Sequence, residues 1–260
     1  MDGIRLSTEG MISMEQKQAV IANNLANIGT AGYRKEVMDI QSFSQILERQ
    51  IGGSNQMGFE GGGGNLIQAA GGMDVRGMLL TSTNTSYAQG ALKMTGSSFD
   101  IALDDNGKGF FTVQGKDGIR FTRNGSFRLD TQGFLVTQDG SRVLGMKGPI
   151  HLGGKSFTVN DTGVILIDDK EVDRFLITEF PDKGTLRKEG ENNFVAENGF
   201  KISSEFRTKQ GYLEMSNVNS VQEMVDMMQT QKAFEANQKV LQAEDQALRK
   251  SVNEVGKISG

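Results

Sequence analysis

The chain has 260 residues, 37% of them apolar, and a formal net charge of −4. Lys and Arg form no basic stripe, which argues against nucleic-acid binding, and no apolar run approaches the length of a membrane span. Cysteine is absent and histidine occurs once, which excludes disulfides, thiol catalysis and a metal site built from several histidines.

The first predicted element is an amphipathic helix in an N-terminal axial segment, residues 1–50. Apolar residues recur at intervals of three and four from Ile4 to Ile28, which is the heptad spacing of a coiled coil. Gly10 interrupts this row at a cost of roughly 1 kcal/mol relative to alanine. We therefore expect the helix to need a partner. The pattern stops before Gly32, in a stretch that favours a turn.

Residues 51–95 follow as a glycine-rich and then extended linker. Between positions 52 and 72, nine of the 21 residues are glycine. Such a stretch buries too little apolar area to offset its backbone entropy. Beyond Val75 the composition turns to Thr, Ser and Asn with spaced apolar residues, which is typical of extended structure.

Residues 96–210 are predicted to form a central antiparallel β domain. Short alternating runs recur there, separated by turn pairs such as Asp117-Gly118, Asn124-Gly125 and Asp139-Gly140. Asp-Gly and Asn-Gly favour tight hairpin turns. We expect a meander of strands of about five residues each.

The same region offers no convincing catalytic site. Its paired carboxylates, Asp104-Asp105 and Asp168-Asp169, lie beside turns, where aspartate is common for local hydrogen bonding. The single histidine, His151, cannot provide a multi-histidine metal site and weakens any Ser-His mechanism. The prediction is a protein that is not an enzyme, with no catalytic residues, cofactor or metal.

The C-terminal axial segment, residues 211–260, carries the longest periodic pattern. A row of apolar residues is repeated every seven positions: Met227, Phe234, Leu241, Leu248 and Val255. The pattern predicts a helix from about 217 to 255, ended by Gly256. At 1.5 Å per residue it would be about 57 Å long, whereas a body of about 110 residues has a radius of gyration near 13 Å. Its apolar row must therefore be covered by another helix of the chain and by neighbouring copies.

Three ordered motifs resemble those of the flagellar rod and hook axial proteins. Residues 22–35 contain Asn-Asn-Leu-Ala-Asn followed by Thr, Gly and an aromatic residue. Residues 99–127 resemble the sequence of that family's central domain, although Phe99 replaces the usual leucine. Residues 213–219 and 223–237 resemble the second terminal signature. The chain is therefore identified as similar to a basal-body rod protein, distal or proximal.

The resemblance implies a fold and a set of partners. The fold class is α+β, with long N- and C-terminal helices forming a coiled-coil-like stem and a central antiparallel β-rich domain. The protein would polymerise helically with itself into the hollow drive shaft of the flagellum, contact neighbouring rod and hook proteins, and reach the basal body through the flagellar export apparatus without a cleaved signal. No contact with nucleic acid and no membrane insertion are expected.

Two alternatives stay open on the sequence: a hook-type axial protein, and a module that binds cell-wall glycan and carries an oligomerising helical stalk. The scarcity of tyrosine and the absence of tryptophan weigh against the second.

Subunit assembly is assigned to residues of both terminal segments. The apolar rows suggest packing by Met14, Ile21, Leu25, Met227, Phe234, Leu241 and Leu248. Geometry where the helices turn into the body is assigned to Asn23, Asn24, Asn27, Ser216 and Asn217. The family-like runs add Thr30, Gly32, Tyr33, Gln231 and Asn237.

Overall fold

The computed structural model describes residues 2–42, 79–190, 192–196, 199–203 and 205–258. The chain divides into two compact units. The helical unit comprises Met1–Asn23, Glu36–Asn84 and Val221–Gly260, and the β unit comprises Asn24–Lys35 and Thr85–Ser220. Residues 51–78 of the predicted linker lie outside the described residues.

Two long helices are present near the two ends of the chain, as predicted. Helix α1 spans Asp2–Ala26 and helix α2 spans Ser220–Ile258. With 25 and 39 residues, they are about 37 and 58 Å long. The helical unit also contains a two-stranded sheet of β1 (Glu36–Ser42) and β2 (Leu79–Thr85). The coiled-coil-like stem expected from the heptads stays a prediction.

The predicted end of α2 at Gly256 is wrong, because the helix continues to Ile258. A glycine inside a helix costs roughly 1 kcal/mol relative to alanine. That cost is too small to stop a helix whose preceding turns contain no proline.

The β unit contains many short strands. In chain order they are β3 (Leu92–Met94), β4 (Ile101–Leu103), β5 (Gly109–Gly115), β6 (Gly118–Thr122), β7 (Phe127–Leu129), β8 (Leu135–Thr137), β9 (Arg142–Gly145), β10 (Gly148–Pro149), β11 (Thr158–Val159), β12 (Val164–Ile167), β13 (Lys170–Arg174), β14 (Ile177–Glu179), β15 (Arg187–Glu189), β16 (Asn193–Val195), β17 (Lys201–Ile202), β18 (Thr208–Gln210) and β19 (Tyr212–Glu214). A short 3-10 turn, Lys183–Thr185, precedes β15.

The largest sheet is antiparallel but is not the simple meander that the turn pairs predicted. Its main path runs β15-β16-β6-β5-β9-β8-β7, with β10, β14 and β17 attached to it. Strands β7, β8 and β9 are consecutive neighbours, as expected. Strand β6, however, folds back on β5 through a hairpin at Gly118, and β9 pairs with the other edge of β5. The Asn124-Gly125 pair therefore lies in a connection between non-adjacent strands and forms no hairpin.

Two aromatic cores lie on either side of β5. Successive residues of a strand point to opposite faces, and accordingly Phe110 and Phe111 belong to different buried clusters. The Phe111 ring meets Phe127 edge-to-face with 5.1 Å between ring centroids, while Phe110 meets Phe180 at 5.6 Å. Each edge-to-face pair contributes about 0.5–1.5 kcal/mol beyond the burial of its two rings.

Smaller sheets bring the two ends of the β unit together. Strand β19 pairs with β3, and β18 pairs with β4. As a result, the residues just before α2 lie beside the residues that open the central domain.

Candidate functional site

The segment that follows α1 folds into a chain of turns held by its own polar side chains. Backbone amides of Asn27, Thr30 and Tyr33 each donate to a carbonyl three residues earlier, at 3.2, 3.2 and 3.3 Å. The Thr30 hydroxyl donates to Asn27 Oδ1 at 3.1 Å, and the buried Tyr33 hydroxyl donates to Asn24 Oδ1 at 3.1 Å. Four residues assigned to assembly thus form one hydrogen-bonded cap on the end of α1.

Gly32 is required by its position in this segment. Its φ of 71° lies in the left-handed region, and a Cβ on it would be 2.4 Å from the backbone nitrogen of Asn124. Its amide donates to the Glu214 carbonyl at 2.8 Å. The segment can approach the rest of the β unit this closely because the residue has no side chain.

Asn217 joins three stretches of the chain through one amide side chain. Its Oδ1 accepts from the Lys35 amide at 2.7 Å, and its Nδ2 donates to the carbonyls of Ser86 and Ala88, both at 2.9 Å. Ser216 beside it is buried, and its Oγ accepts from the Val218 amide at 3.3 Å. The residues that lead into α2 are therefore tied to those that follow α1.

A buried ionic cluster lies at the centre of this arrangement. Arg34 Nη1 contacts Glu214 Oε1 at 2.7 Å, and Arg123 Nη2 contacts Glu214 Oε2 at 2.8 Å. Arg123 Nη1 also contacts Asp105 Oδ1 at 2.8 Å. The side chains of Arg34, Arg123 and Glu214 are 0% exposed. We call Arg34, Arg123, Glu214 and Asp105 the junction cluster.

Backbone groups add hydrogen bonds to the two carboxylates and to Arg123, while the buried Nε and Nη2 of Arg34 have no hydrogen-bond partner among the described residues. Glu214 Oε1 accepts from the Gly90 amide at 2.9 Å, and Asp105 accepts from the amides of Gly107 and Gly109 at 3.0 and 2.7 Å. Arg123 donates to the Gly109 carbonyl at 2.6 Å. Each carboxylate is thus satisfied by charge-assisted bonds, which are shorter and stronger than neutral ones.

Burial sets the electrostatics of Arg34. Desolvation lowers the pKa of its guanidinium, and the adjacent Glu214 carboxylate opposes that change. The guanidinium nevertheless stays charged, because arginine starts from a very high pKa. Because the Glu214 carboxylate lies between Arg34 and Arg123, it opposes the desolvation of both buried cations.

A lysine covers the outer side of the cap. Lys188 Nζ lies 3.9 Å from the centre of the Tyr33 ring and donates to the Arg34 carbonyl at 3.4 Å. A cation over an aromatic face contributes about 0.5–2 kcal/mol, depending on exposure. Strand β15 is thereby linked to the segment that follows α1.

The residues assigned to helix packing lie in different environments. Ile21 is buried, Met14, Leu25, Met227, Phe234 and Leu241 are half-buried, and Leu248 is exposed. Asn23, assigned to the geometry of the helix end, and Gln231, assigned from the family-like run, are also exposed. Among the side chains of α2 that the structure describes, the most buried are instead those of Glu223 and Thr230. One contact between the helices is well defined, because a Cβ on Gly10 would be 3.0 Å from Asn237 Nδ2.

Three protein-family profiles match successive parts of the chain. They are described as flagella basal body rod protein, residues 4–34, flagellar hook protein FlgE/F/G D1 domain, residues 106–167, and flagellar basal body rod FlgEFG protein C-terminal, residues 209–254.

Whole-length relatives agree with these matches. The chain is 33% identical over 261 residues to the flagellar basal-body rod protein FlgG of Bacillus subtilis, covering 94% of this chain and 95% of the relative. It is 32% identical to FlgG of Buchnera aphidicola subsp. Schizaphis graminum, covering 94% and 96%. It is 27% identical to the flagellar hook-basal body complex protein FlhO of Bacillus subtilis, covering 99% and 100%.

The chain belongs to the flagellar basal-body rod protein family. The resemblance drawn from its terminal and central motifs is confirmed, and it places the protein in the flagellar basal body. The junction cluster joins the three matched regions of this rod protein, since Arg34, Arg123 and Glu214 each come from a different one.

Sequence reasoning missed the junction cluster. Arg34, Arg123, Glu214 and Asp105 are charged, and charged residues are almost never fully buried unless paired. The available signal was their placement: Arg34 and Glu214 lie inside the two terminal family-like runs, and Arg123 lies inside the central one. Nothing in the sequence shows that these runs meet.

The structure gives no indication of metal or membrane chemistry in the part that it describes. Within those residues, no group of three or more His, Cys, Asp or Glu side chains is placed to hold a metal ion. Of the helices described, none is both long and apolar enough to cross a membrane.

Proposed function

We propose that this chain is a structural, non-catalytic subunit of the flagellar rod that polymerises with copies of itself and contacts neighbouring rod and hook proteins. The observation that carries the proposal is the junction cluster, in which Glu214 holds Arg34 and Arg123 at 2.7 and 2.8 Å. It anchors both chain segments that lead into the terminal helices onto one β unit.

This anchoring suits a part that bears a mechanical load. If neighbouring subunits bind the terminal helices, force is transmitted to the β unit through residues 24–35 and 214–220. Those segments are held by short directional bonds, including the three made by the Asn217 amide. Directional bonds resist sliding, whereas apolar contacts alone are non-directional. Torque would therefore reach the β unit without reorganising its core.

The helices supply the self-association surface. We propose that α1 and α2 pair as an antiparallel, coiled-coil-like stem, with Gly10 allowing close approach to Asn237. The row of Met227, Phe234 and Leu241 is half-buried, so that each of these side chains retains area that a neighbouring copy can cover. Full burial of such a side chain contributes about 1.5–3 kcal/mol. Repetition along a helical polymer would give the hollow shaft, after delivery of the subunit by the flagellar export apparatus.

The test compares an aspartate at a packing position with an aspartate at an exposed position of the same helix. Phe234→Asp places a charge in the half-buried row, and Ala236→Asp places the same charge on an exposed site. We expect Phe234→Asp to abolish self-association in sedimentation experiments and motility in a strain that lacks its own copy, while Ala236→Asp keeps both. Normal swimming by the Phe234→Asp strain would contradict the proposed function.

A further inference from the structure

A cleft of about 260 Å³ in the β unit is lined by polar residues. Four of them carry side-chain amides, Asn124, Gln138, Asn192 and Asn193, and we call this cavity the amide cleft. Among the described residues, those that line it include no apolar and no aromatic residue. At roughly 30 Å³ of liquid volume per water molecule, the amide cleft has room for a small polar solute.

Strand ends and a turn bring the four amides together. Asn193 begins β16 and is paired with Thr122, the last residue of β6, and Asn124 follows two residues later. Gln138 comes directly after β8, in the turn that leads to β9. The Thr122 hydroxyl donates to the Asn192 carbonyl at 2.8 Å and fixes that backbone against the end of β6.

The amides keep hydrogen-bonding groups that the protein does not use. Asn192 Oδ1 is buried and accepts no hydrogen bond, and the Asn193 side chain makes none within the described part of the chain. Asn124 uses its Oδ1 to accept from the Ser126 amide at 3.0 Å, which leaves its Nδ2. Gln138 uses its Nε2 to donate to Ser126, which leaves its Oε1. A buried acceptor without a partner is costly and uncommon, so Asn192 Oδ1 points to a ligand group that donates.

The amide cleft also contains a carboxylate, that of Asp139. Burial opposes its ionisation, but hydrogen bonds from Thr137 and Ser141 outweigh burial, and its pKa is lowered. Asp139 is therefore an ionised acceptor at neutral pH. One carboxylate does not make a metal site, and the described residues include no group of three or more His, Cys, Asp or Glu side chains placed to hold a metal ion.

Adjacent hydroxyl groups are the ligand chemistry that matches this lining. A hydroxyl has one donor and two acceptor positions, an amide has an acceptor oxygen beside two donors, and a carboxylate accepts only. A sugar ring carries several hydroxyls side by side and can therefore engage the amides and Asp139 together. A peptide would bring apolar side chains for which the lining offers no apolar surface, and an anion would find no basic residue among those that line the amide cleft.

A second cleft, of about 440 Å³, adjoins the amide cleft at Asp139, which lines both. It lies between the turn that joins β5 to β6 and the turn that joins β8 to β9. Its lining is also polar and includes Gln114, Ser141 and Arg142. A chain of sugar rings can therefore continue past Asp139.

We propose that the amide cleft binds one ring of a neutral glycan chain, whose next ring lies in the second cleft. This site adds a ligand to the β unit and does not depend on self-association. It gives the glycan-binding alternative a defined location in the fold. Because the described lining provides no aromatic ring for stacking, hydrogen bonds carry the binding, and the dissociation constant is in the millimolar range.

Saturation-transfer difference NMR tests the site on the full-length chain, with triacetylchitotriose as a soluble neutral trisaccharide. The signal of the sugar should saturate as its concentration rises. Asn192→Ala and Asn193→Ala should each raise the dissociation constant about fivefold, because each variant loses a hydrogen bond to the sugar. Asn253→Ala, at an exposed position of α2, is the matched control and should leave the dissociation constant unchanged.

Urea unfolding of the same variants separates binding from folding. Neither Asn192 Oδ1 nor the Asn193 side chain accepts a hydrogen bond within the described protein, so both variants should keep the urea midpoint of the parent. If Asn192→Ala lowers that midpoint, its amide is a structural group, and the dissociation constant of Asn193→Ala decides.

Two results would overturn the inference and leave the structural role of the chain untouched. One is the absence of a saturable signal from the parent, and the other is equal binding by the parent and both cleft variants. Either would show that the amide cleft holds only water. Equal affinity for N-acetylglucosamine and triacetylchitotriose would overturn the continuation into the second cleft.

Discussion

The substitution Glu214→Gln should destabilise the β unit without changing its shape. Glu214 Oε1 accepts from Arg34 Nη1 and the Gly90 amide, at 2.7 and 2.9 Å. Its Oε2 accepts from Arg123 Nε and contacts Arg123 Nη2, at 2.9 and 2.8 Å. Every neighbour is a donor, so the amide nitrogen of glutamine must face at least one of them. The two arginines also lose the carboxylate between them.

The expected cost follows from burial. Removing one partner of a buried ion pair costs about 3–5 kcal/mol, because it leaves an uncompensated buried charge. Asp105 still neutralises part of Arg123, so we expect the lower end, about 3 kcal/mol. For a unit of about 150 residues this corresponds to a fall of roughly 10 °C in melting temperature. Typical domains have only about 5–15 kcal/mol of stability in total.

The assay can observe the β unit alone. The chain has no tryptophan and three tyrosines, and Tyr33, Tyr87 and Tyr212 all belong to that unit. Tyrosine fluorescence in a urea titration therefore reports its unfolding separately from the helices. Glu171→Gln, at an exposed position, is the matched control and should change stability by less than about 0.5 kcal/mol. If Glu214→Gln were also within about 1 kcal/mol of the parent, the cluster would not be the anchor that we describe.

Three further predictions use the same measurement. Arg34 makes its side-chain contacts through Nη1, and its buried Nε and Nη2 have no hydrogen-bond partner among the described residues, so Arg34→Lys should lower the free energy of unfolding by under about 1 kcal/mol. Arg123 hydrogen-bonds through Nε and Nη1, and its Nη2 makes only an ion-pair contact with Glu214. Arg123→Lys should therefore lower the free energy of unfolding by at least about 2 kcal/mol, and equal losses for the two variants would contradict this difference. Gly32→Ala should lower the free energy of unfolding by at least about 2 kcal/mol, because the residue has a left-handed backbone and the new Cβ would lie 2.4 Å from Asn124 N. An unchanged free energy of unfolding would mean that the segment can shift. The hydrogen bond from Lys209, and then its positive charge, lower the pKa of Asp104. Because this pKa is lower in the folded state than in the unfolded state, the interaction stabilises the folded protein at neutral pH. That stabilisation is lost as the pH falls below about 4. The stability difference between the parent and Asp104→Asn should therefore shrink from pH 7 to pH 3, and an unchanged difference would exclude the linkage.

Periodicity and turn chemistry predicted much of the fold. The heptads of the two terminal segments predicted helices, and α1 and α2 are present because their spacing of three and four residues needs no information from the rest of the chain. The short antiparallel strands of the central region were likewise predicted from local alternation and turn pairs. The order in which the strands pair was not predicted, because an Asn-Gly pair has the same local sequence in a hairpin turn as in a connection between non-adjacent strands, such as the one that contains Asn124-Gly125.

The candidate site was predicted in part. Asn24, Asn27, Thr30 and Tyr33 were selected through family resemblance, and the structure joins them in one hydrogen-bonded cap. Their roles in subunit assembly remain predictions, as do those of the helix rows. Asn217 was selected too, but its three partners lie far away in the sequence and follow from the fold alone.

The long helices, the strand-rich centre and the family could be recognised before the structure was known, because they depend on residue order within short windows. The burial of Arg34, Arg123 and Glu214 in one cluster depends on the tertiary fold. Their burial is tolerated because each of the two arginines forms an ion pair with Glu214, which lies roughly 90 residues or more further along the chain. The sequence around a charged residue does not show which distant residue will pair with it.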